Sequence, residues 1–261
     1  MDAVSKSKPN NTVPFLVTVT LLIGIWSVLH WLRIWPPYTF PGPLDVARSL
    51  YRMAAEGQLL PAVLATFRRL GLAYGISMLL GAFIAAGLVL VPGFRGGVQP
   101  FLLAFQSLPG LAWIPVTILW FGLREQAILF VTIMGCVFSI AMGMADAFAT
   151  VPPLYHKAAR NMGVHGANLL LRVTVPAATP HLITAAKVGW SFAWRSLVGA
   201  EIILTGVTVG VGFLLDQGRA YGDISQVFAT MIVLIVIGVV IERVVFATLE
   251  RAVRTRWGLA D

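Results

Sequence analysis

Six stretches of the chain are each long and apolar enough to cross a hydrocarbon core, and this excludes almost every soluble fold. A helix crossing about 30 Å needs roughly 20 apolar residues. Val13–Trp35, Ala62–Val91, Phe101–Gly122, Ala127–Phe148, Pro180–Leu204 and Val227–Leu249 all reach that length. In hydrocarbon each backbone N–H and C=O must be bonded inside the protein, so isolated apolar runs become helices. The expected fold class is therefore all-α and integral to the membrane, with six transmembrane helices. Charge agrees: 11% of residues are charged, against about a quarter in a soluble domain, too few to cover a surface in water.

The first run is expected to be an uncleaved span. Lys6 and Lys8 form a weak basic start, but the run is too long for a signal-peptide core, and no small-x-small cleavage site follows. Pro36, Pro37, Pro41 and Pro43 then set an extended turn. Beyond it Leu44, Ala47, Leu50, Tyr51 and Ala54 recur at helical spacing, which predicts a short amphipathic helix in the interface. Trp26, Trp31 and Trp35 fit an aromatic belt. The third run contains Pro109-Gly110 and Pro115 and should be kinked or locally unwound. Residues 1–58 are thus expected to hold the tail, first span and interfacial helix. Residues 59–261 form a core of five spans with an inner loop at 151–179.

A net charge of +8 would suggest nucleic acid in a soluble protein. Here the basic residues flank apolar runs without forming a stripe, so no nucleic-acid partner is expected and the positive-inside rule is the better account. With the N-terminus inside, Lys6, Lys8, Arg95, Lys157, Arg160, Arg172, Arg251, Arg254 and Arg256 lie inside, and Arg33, Arg48, Arg52, Arg124 and Arg219 outside. That bias places both termini in the cytoplasm of a multi-pass protein of the cell (inner) membrane. Cys136, the single cysteine, sits in an apolar run and acts as a small hydrophobe. His30, His156, His165 and His181 are scattered, and neither a metal site nor a catalytic set is expected.

The loop from Val151 to Thr179 is the most patterned hydrophilic segment. Pro152-Pro153 ends the fourth span, Leu154–Met162 is a short helix, Gly163 breaks it, and Gly166–Val173 is a second helix. Pro176 is expected to stop that helix and Pro180 to open the fifth span. A helix–Gly–helix of this size suits docking into a groove of another protein.

The loop reads Lys157-Ala158-Ala159, three residues, Gly163, nine residues, then Val173-Thr174-Val175-Pro176. This resembles the EAA motif of ABC importer permeases. Ile114-Pro115 to Leu119-Trp120-Phe121-Gly122 and Ala200-Glu201 followed by Gly210-Val211-Gly212-Phe213-Leu214 resemble segments of the sulfonate, taurine and nitrate branch. The resemblance runs from about Leu60 to Leu259. It implies a type I ABC importer transmembrane domain working as a homodimer with a separate ATPase subunit and a solute-binding protein. Lys157, Ala158, Ala159, Gly163, Val173, Val175 and Pro176 would form the coupling contact. Lys157 stands where the family has Glu, which alters a contact with the ATPase. No phosphate-binding loop G-x-x-x-x-G-K-[ST] occurs, so the chain is not expected to be an enzyme or to carry a cofactor; ATP and Mg would be bound by the partner.

An ionisable residue inside a span costs about 2.5–3.5 kcal/mol on insertion scales and so faces a cavity or a partner. Arg195 and Glu201 in the fifth run are candidates for the translocation pathway, with Trp190 and Trp194 on the same span and Gln106 and Ser107 beside the break in the third. The alternative for Arg195 is a structural pair with Asp146 or Glu201. Lys187 is expected to snorkel to the inner interface, and Arg68 and Arg69 to be interfacial anchors. The cargo implied by the resemblance is a sulfonate-, taurine- or nitrate-like anion, with bicarbonate or a thiamine-precursor pyrimidine as alternatives. An ATP-independent channel or ion-coupled transporter would need intramembrane carboxylates and leaves the patterned loop unexplained. An intramembrane enzyme would need a nucleophile and base at membrane depth, and none stands out.

Overall fold

The computed structural model describes residues 12–36, 38–204 and 209–256, and among them there are helices and turns but no strand. Lys6 and Lys8, part of the charge count, lie outside the described residues. The helices are α1 (Thr12–Trp31), α2 (Pro43–Ala55), α3 (Leu59–Leu90), α4 (Phe94–Ser107), α5 (Ile114–Phe121), α6 (Glu125–Ala149), α7 (Pro153–Asn161), α8 (Gly166–Leu169), α9 (Val175–Ile203), α10 (Val211–Ala220), α11 (Ile224–Val240) and α12 (Ala247–Arg256). π-turns at Leu170–Thr174 and Ile241–Phe246 join α8 to α9 and α11 to α12 without a break. Five helical paths are long and apolar enough to span a membrane; α4 and Gly110–Phe121 pass the same test only when taken together as a bent pair.

The core is α6 packed between α3 and α9. Small residues let the backbones approach, as expected where lipid supplies no hydrophobic drive between helices. A Cβ on Gly143 would lie 2.9 Å from that of Ala185, and one on Gly189 would lie 2.3 Å from Ile140 Cγ1. The tightest point joins three elements: a Cβ on Gly135 would sit 2.0 Å from Ser196 Oγ, and one on Gly110 2.4 Å from the same atom.

The expected break in the third span is present as a 92° bend. Its cause is local. Leu108 precedes Pro109 and is pushed to extended backbone (ψ 126°), as is Pro109 itself (ψ 136°). The span begins at Phe94 instead of Phe101, with Pro100 held inside α4. Pro115 does not interrupt it, because it lies in the first turn of α5, where the missing N–H costs nothing.

The expectations for Pro176, Pro180 and Trp26 are corrected. Pro176 and Pro180 neither stop nor start a helix: Gly166 to Ile203 is one helical path of 38 residues. The π-turn before Val175 leaves Pro176 in a first turn, and Pro180 is carried inside α9. On α2 the packed residues are Val46, Ser49 and Met53, seated against Ala229 of α11, whereas Leu44, Ala47, Tyr51 and Ala54 face outward. Trp26 does not stand free in a belt; its Nε1–H donates to Pro41 O (3.0 Å) and its ring stacks on Phe228. Helix α10, which the apolar pattern does not reveal, covers one end of α3, α9 and α11.

Candidate functional site

The loop at 151–179 is a hairpin of two short helices. Helix α7 starts at Pro153 and ends in a left-handed Gly163 (φ 80°). Val164 N–H donates to Ala159 O and Gly163 N–H to Arg160 O, both at 3.0 Å. This is the paired bonding of a Schellman cap, which needs a residue free to take positive φ. Gly166, also at positive φ (60°), turns the chain into α8. The His156 ring and the Thr174 hydroxyl hydrogen-bond at 3.1 Å, clamping α7 to the root of α9.

Most predicted coupling residues fall on this hairpin. Lys157 and Ala158 are exposed, and Ala159 is buried against the hairpin itself. Val173 and Val175 are half-buried where the π-turn enters α9, with Pro176 exposed beside them. Leu154, Ala158 and Met162 recur every four residues on one exposed face of α7 and its cap, and Met162 is 82% exposed. Between Val151 and Thr179 there are three basic residues, Lys157, Arg160 and Arg172, and no acidic one. The result is an apolar, basic face on the hairpin.

The predicted pathway residues do not form one site. Gln106 borders a pocket of about 370 Å³ between α4, α6 and α9, together with Ser139, Asp146, Thr150, His181 and Thr184. Its Oε1 is buried without a hydrogen-bond partner among the described residues. Asp146 pairs across this pocket's edge with Arg95 (2.9 Å) and not with Arg195. Ser107 points away, donating to Ala104 O, and is exposed. Trp190 is a packing residue, stacked on Trp194 and edge-on to Tyr74. Trp194 and Arg195 border a different, larger cavity between α9 and α11.

Glu201 lines neither cavity. It is 1% exposed and ion-paired with Arg69, itself 1% exposed. Arg69 is therefore no interfacial anchor, while Arg68 ties α3 to Glu125 of α6. Around the pair, Thr66 Oγ1 donates to the Glu201 carboxylate (2.9 Å) and accepts from Val211 N–H (2.9 Å). Gly212 N–H donates to Glu201 Oε2 (3.0 Å). The first N–H groups of α10 are thus satisfied by side chains from α3 and α9, because Gly210 at the N-cap has none to offer. A Cβ on Gly210 would meet the carboxylate at 2.6 Å, so the glycines admit Glu201. Lys187 pairs with Glu242 (2.9 Å) and Glu250 (3.6 Å), holding α9 to the last span.

Residues 70–255 match the family described as Binding-protein-dependent transport system inner membrane component. The chain is 26% identical to the Taurine transport system permease protein TauC of Escherichia coli (strain K12), covering 86% of this chain and 83% of that one. It is 23% identical to the Bicarbonate transport system permease protein CmpB of Synechococcus elongatus, covering 88% of each. It is 25% identical to the Putative aliphatic sulfonates transport permease protein SsuC of Bacillus subtilis, covering 85% of this chain and 80% of that one. Among solved structures, an inward-facing form of the MetNI methionine ABC transporter superposes with a TM-score of 0.64 at 22% identity, over 75% of this chain and 96% of that one. That likeness gives the fold, a type I importer transmembrane domain. With a family match over most of its length, this chain belongs to the inner-membrane permeases of binding-protein-dependent ABC transport systems, and is a transport subunit and not an enzyme.

Proposed function

We propose that the chain is the membrane-spanning half of an ATP-driven importer, paired with a second copy of itself and moved by an ATPase subunit seated on the hairpin. ATP and Mg are bound by that partner, and cargo is delivered by a separate solute-binding protein on the opposite face. Both termini and the hairpin lie in the cytoplasm, in keeping with the basic residues of the hairpin.

The observation that carries this reading is the unbroken helical path from Gly166 to Ile203. At 1.5 Å per residue it runs about 57 Å. It joins the hairpin rigidly to Thr184 in the polar pocket and to Glu201 near the far end. A push on the hairpin is therefore delivered to the whole of α9, and alternating access becomes a rigid-body rocking of α9 with α6.

The pocket beside α4 is the proposed cargo route. The hydroxyl of Ser139 and the amide of Gln106 offer neutral donors to a small oxyanion of the sulfonate, taurine or nitrate kind, or bicarbonate, while the Thr150 and Thr184 hydroxyls donate to Ala147 O and Pro180 O. The unpartnered Gln106 Oε1 offers an acceptor to a cargo N–H.

The test is co-purification of an affinity-tagged chain with the ATPase subunit it works with. The unchanged chain should hold the ATPase through size exclusion in detergent. Met162→Asp, which puts a charge on the exposed apolar face, should lose it while the permease elutes unchanged. Retention of the ATPase by Met162→Asp and Leu154→Asp alike would remove the hairpin as the docking surface.

A further inference from the structure

A cavity of about 880 Å³ is walled by α9, α11 with its π-turn, and Phe15 of α1. Its two halves differ in chemistry. The half toward the hairpin is basic. Lys187 and Arg243 border it, and Glu242 is the one carboxylate on its wall. Arg195 joins them because its side chain curls back one turn: Nε donates to Ser191 O (3.0 Å) and the guanidinium lies 4.9 Å over the Phe192 ring. Arg243 rests 4.5 Å over the Phe15 ring. Neither arginine has a carboxylate partner among the described residues, whereas Glu242 is taken by Lys187. The other half is formed by Val198, Ile202, Leu234 and Ile235.

Two guanidiniums within the apolar spans, whose contacts among the described residues are rings and a carbonyl, lack counter-charge, and that is costly in hydrocarbon. A small oxyanion would supply the charge but leave the apolar half empty, since the volume lies at the upper end of the range for drug-sized ligands. An acyl chain would fill the apolar half but leave the guanidiniums unanswered. The wall formed by α1 bears on the source of the ligand. None of the apolar window of α1 is buried in the chain, so the helix stands among lipid and the cavity lies beneath it.

We propose that this cavity is a binding site for one acidic phospholipid. Its phosphate is held by Arg243 and Arg195, and an acyl chain runs past Ile235 and Ile202. A basic pocket between transmembrane helices is a recurrent way of holding anionic headgroups. The lipid would fill the gap between α1 and the core beside the Arg243–Phe15 contact. This proposal needs only the spans and the cavity, and stands or falls apart from the ATPase reading.

Native mass spectrometry of the purified full-length chain in detergent tests it, with dioleoyl phosphatidylglycerol, dioleoyl phosphatidylcholine and glycerol phosphate as probes. One phosphatidylglycerol should remain bound at collision energies that strip phosphatidylcholine, and glycerol phosphate should not bind. Arg243→Gln and Arg195→Gln should each cut phosphatidylglycerol occupancy at least tenfold, with Arg48→Gln as an unaffected control. Ile235→Trp, which fills the apolar half and leaves the charges, should do the same and covers the case in which an arginine variant fails to fold. Equal retention of both lipids, or unchanged occupancy in Ile235→Trp, would overturn the proposal. Glycerol phosphate binding as tightly as the lipid would instead make this a soluble-anion site and equally refute it.

Discussion

At the scale of single residues, the most consequential group is Glu201. It is fully buried with Arg69, and the pair is bonded on every side by Thr66, Gly212 and Val209. Removing Glu201 leaves Arg69 buried beside the more distant carboxylate of Glu125 (3.5 Å), and breaking a buried pair costs up to about 3–5 kcal/mol. Glu201→Ala should therefore lower the unfolding temperature of the purified chain sharply. Arg69→Met with Glu201→Leu should recover part of the loss, because no charge is then stranded. A single variant as stable as the unchanged chain would mean that water reaches the pair. The sequence made Glu201 visible as an ionisable group within a span but not its partner, because Arg69 lies 132 positions earlier and only the packing of α3 on α9 brings them together. A signal was present: Arg69 stands two turns inside the second apolar run, too deep for a simple anchor. Gly210 and Gly212 were legible as a motif, but their reason, access for a carboxylate, belongs to the fold.

At the scale of elements, the hairpin and the bend in the third span have defined local causes. Gly163 holds the cap of α7 at φ 80°, where a residue with a Cβ loses roughly 1–2 kcal/mol. Gly163→Ala should weaken ATPase retention modestly and Gly163→Pro should abolish coupling, since proline removes the N–H that donates to Arg160 O. Steady-state ATP hydrolysis by the assembled complex reads both. In the core, Gly135→Ala forces a Cβ to 2.0 Å from Ser196 Oγ and should lower the yield of folded protein, with Ser196→Gly restoring part of it; size-exclusion profiles would show either. Element type was plain in the sequence wherever apolar runs were long. The boundaries were not, because prolines were read as helix ends. Pro115 and Pro176 sit in first turns, and α4 and α9 continue through Pro100 and Pro180. The amphipathic character of α2 is legible, but which part of its apolar stripe packs is not, because only contact with α11 puts Val46 and Met53 inside. Helix α10 carries Asp216, Gln217 and Arg219, so no apolar run announced it.

At the scale of the whole molecule, α6 packs at the centre between α3 and α9, and α9 links the hairpin, the polar pocket and the buried Arg69–Glu201 pair. The spans and the hairpin could be read in advance because hydrocarbon imposes simple lengths and because the motif is long. The separation of Gln106 from Arg195 into different cavities could not, since sequence gives a residue's depth but not its direction around a bundle. The central claim is that force applied at the hairpin moves cargo across the membrane. The most direct test is uptake of radiolabelled taurine, an alkanesulfonate or bicarbonate into liposomes holding this chain with its ATPase and binding protein. The account predicts uptake of one cargo that requires internal ATP and is lost in Met162→Asp, while the variant still inserts and binds detergent normally. Uptake that proceeds without ATP or without the ATPase subunit would contradict it and would establish a channel or an ion-coupled carrier.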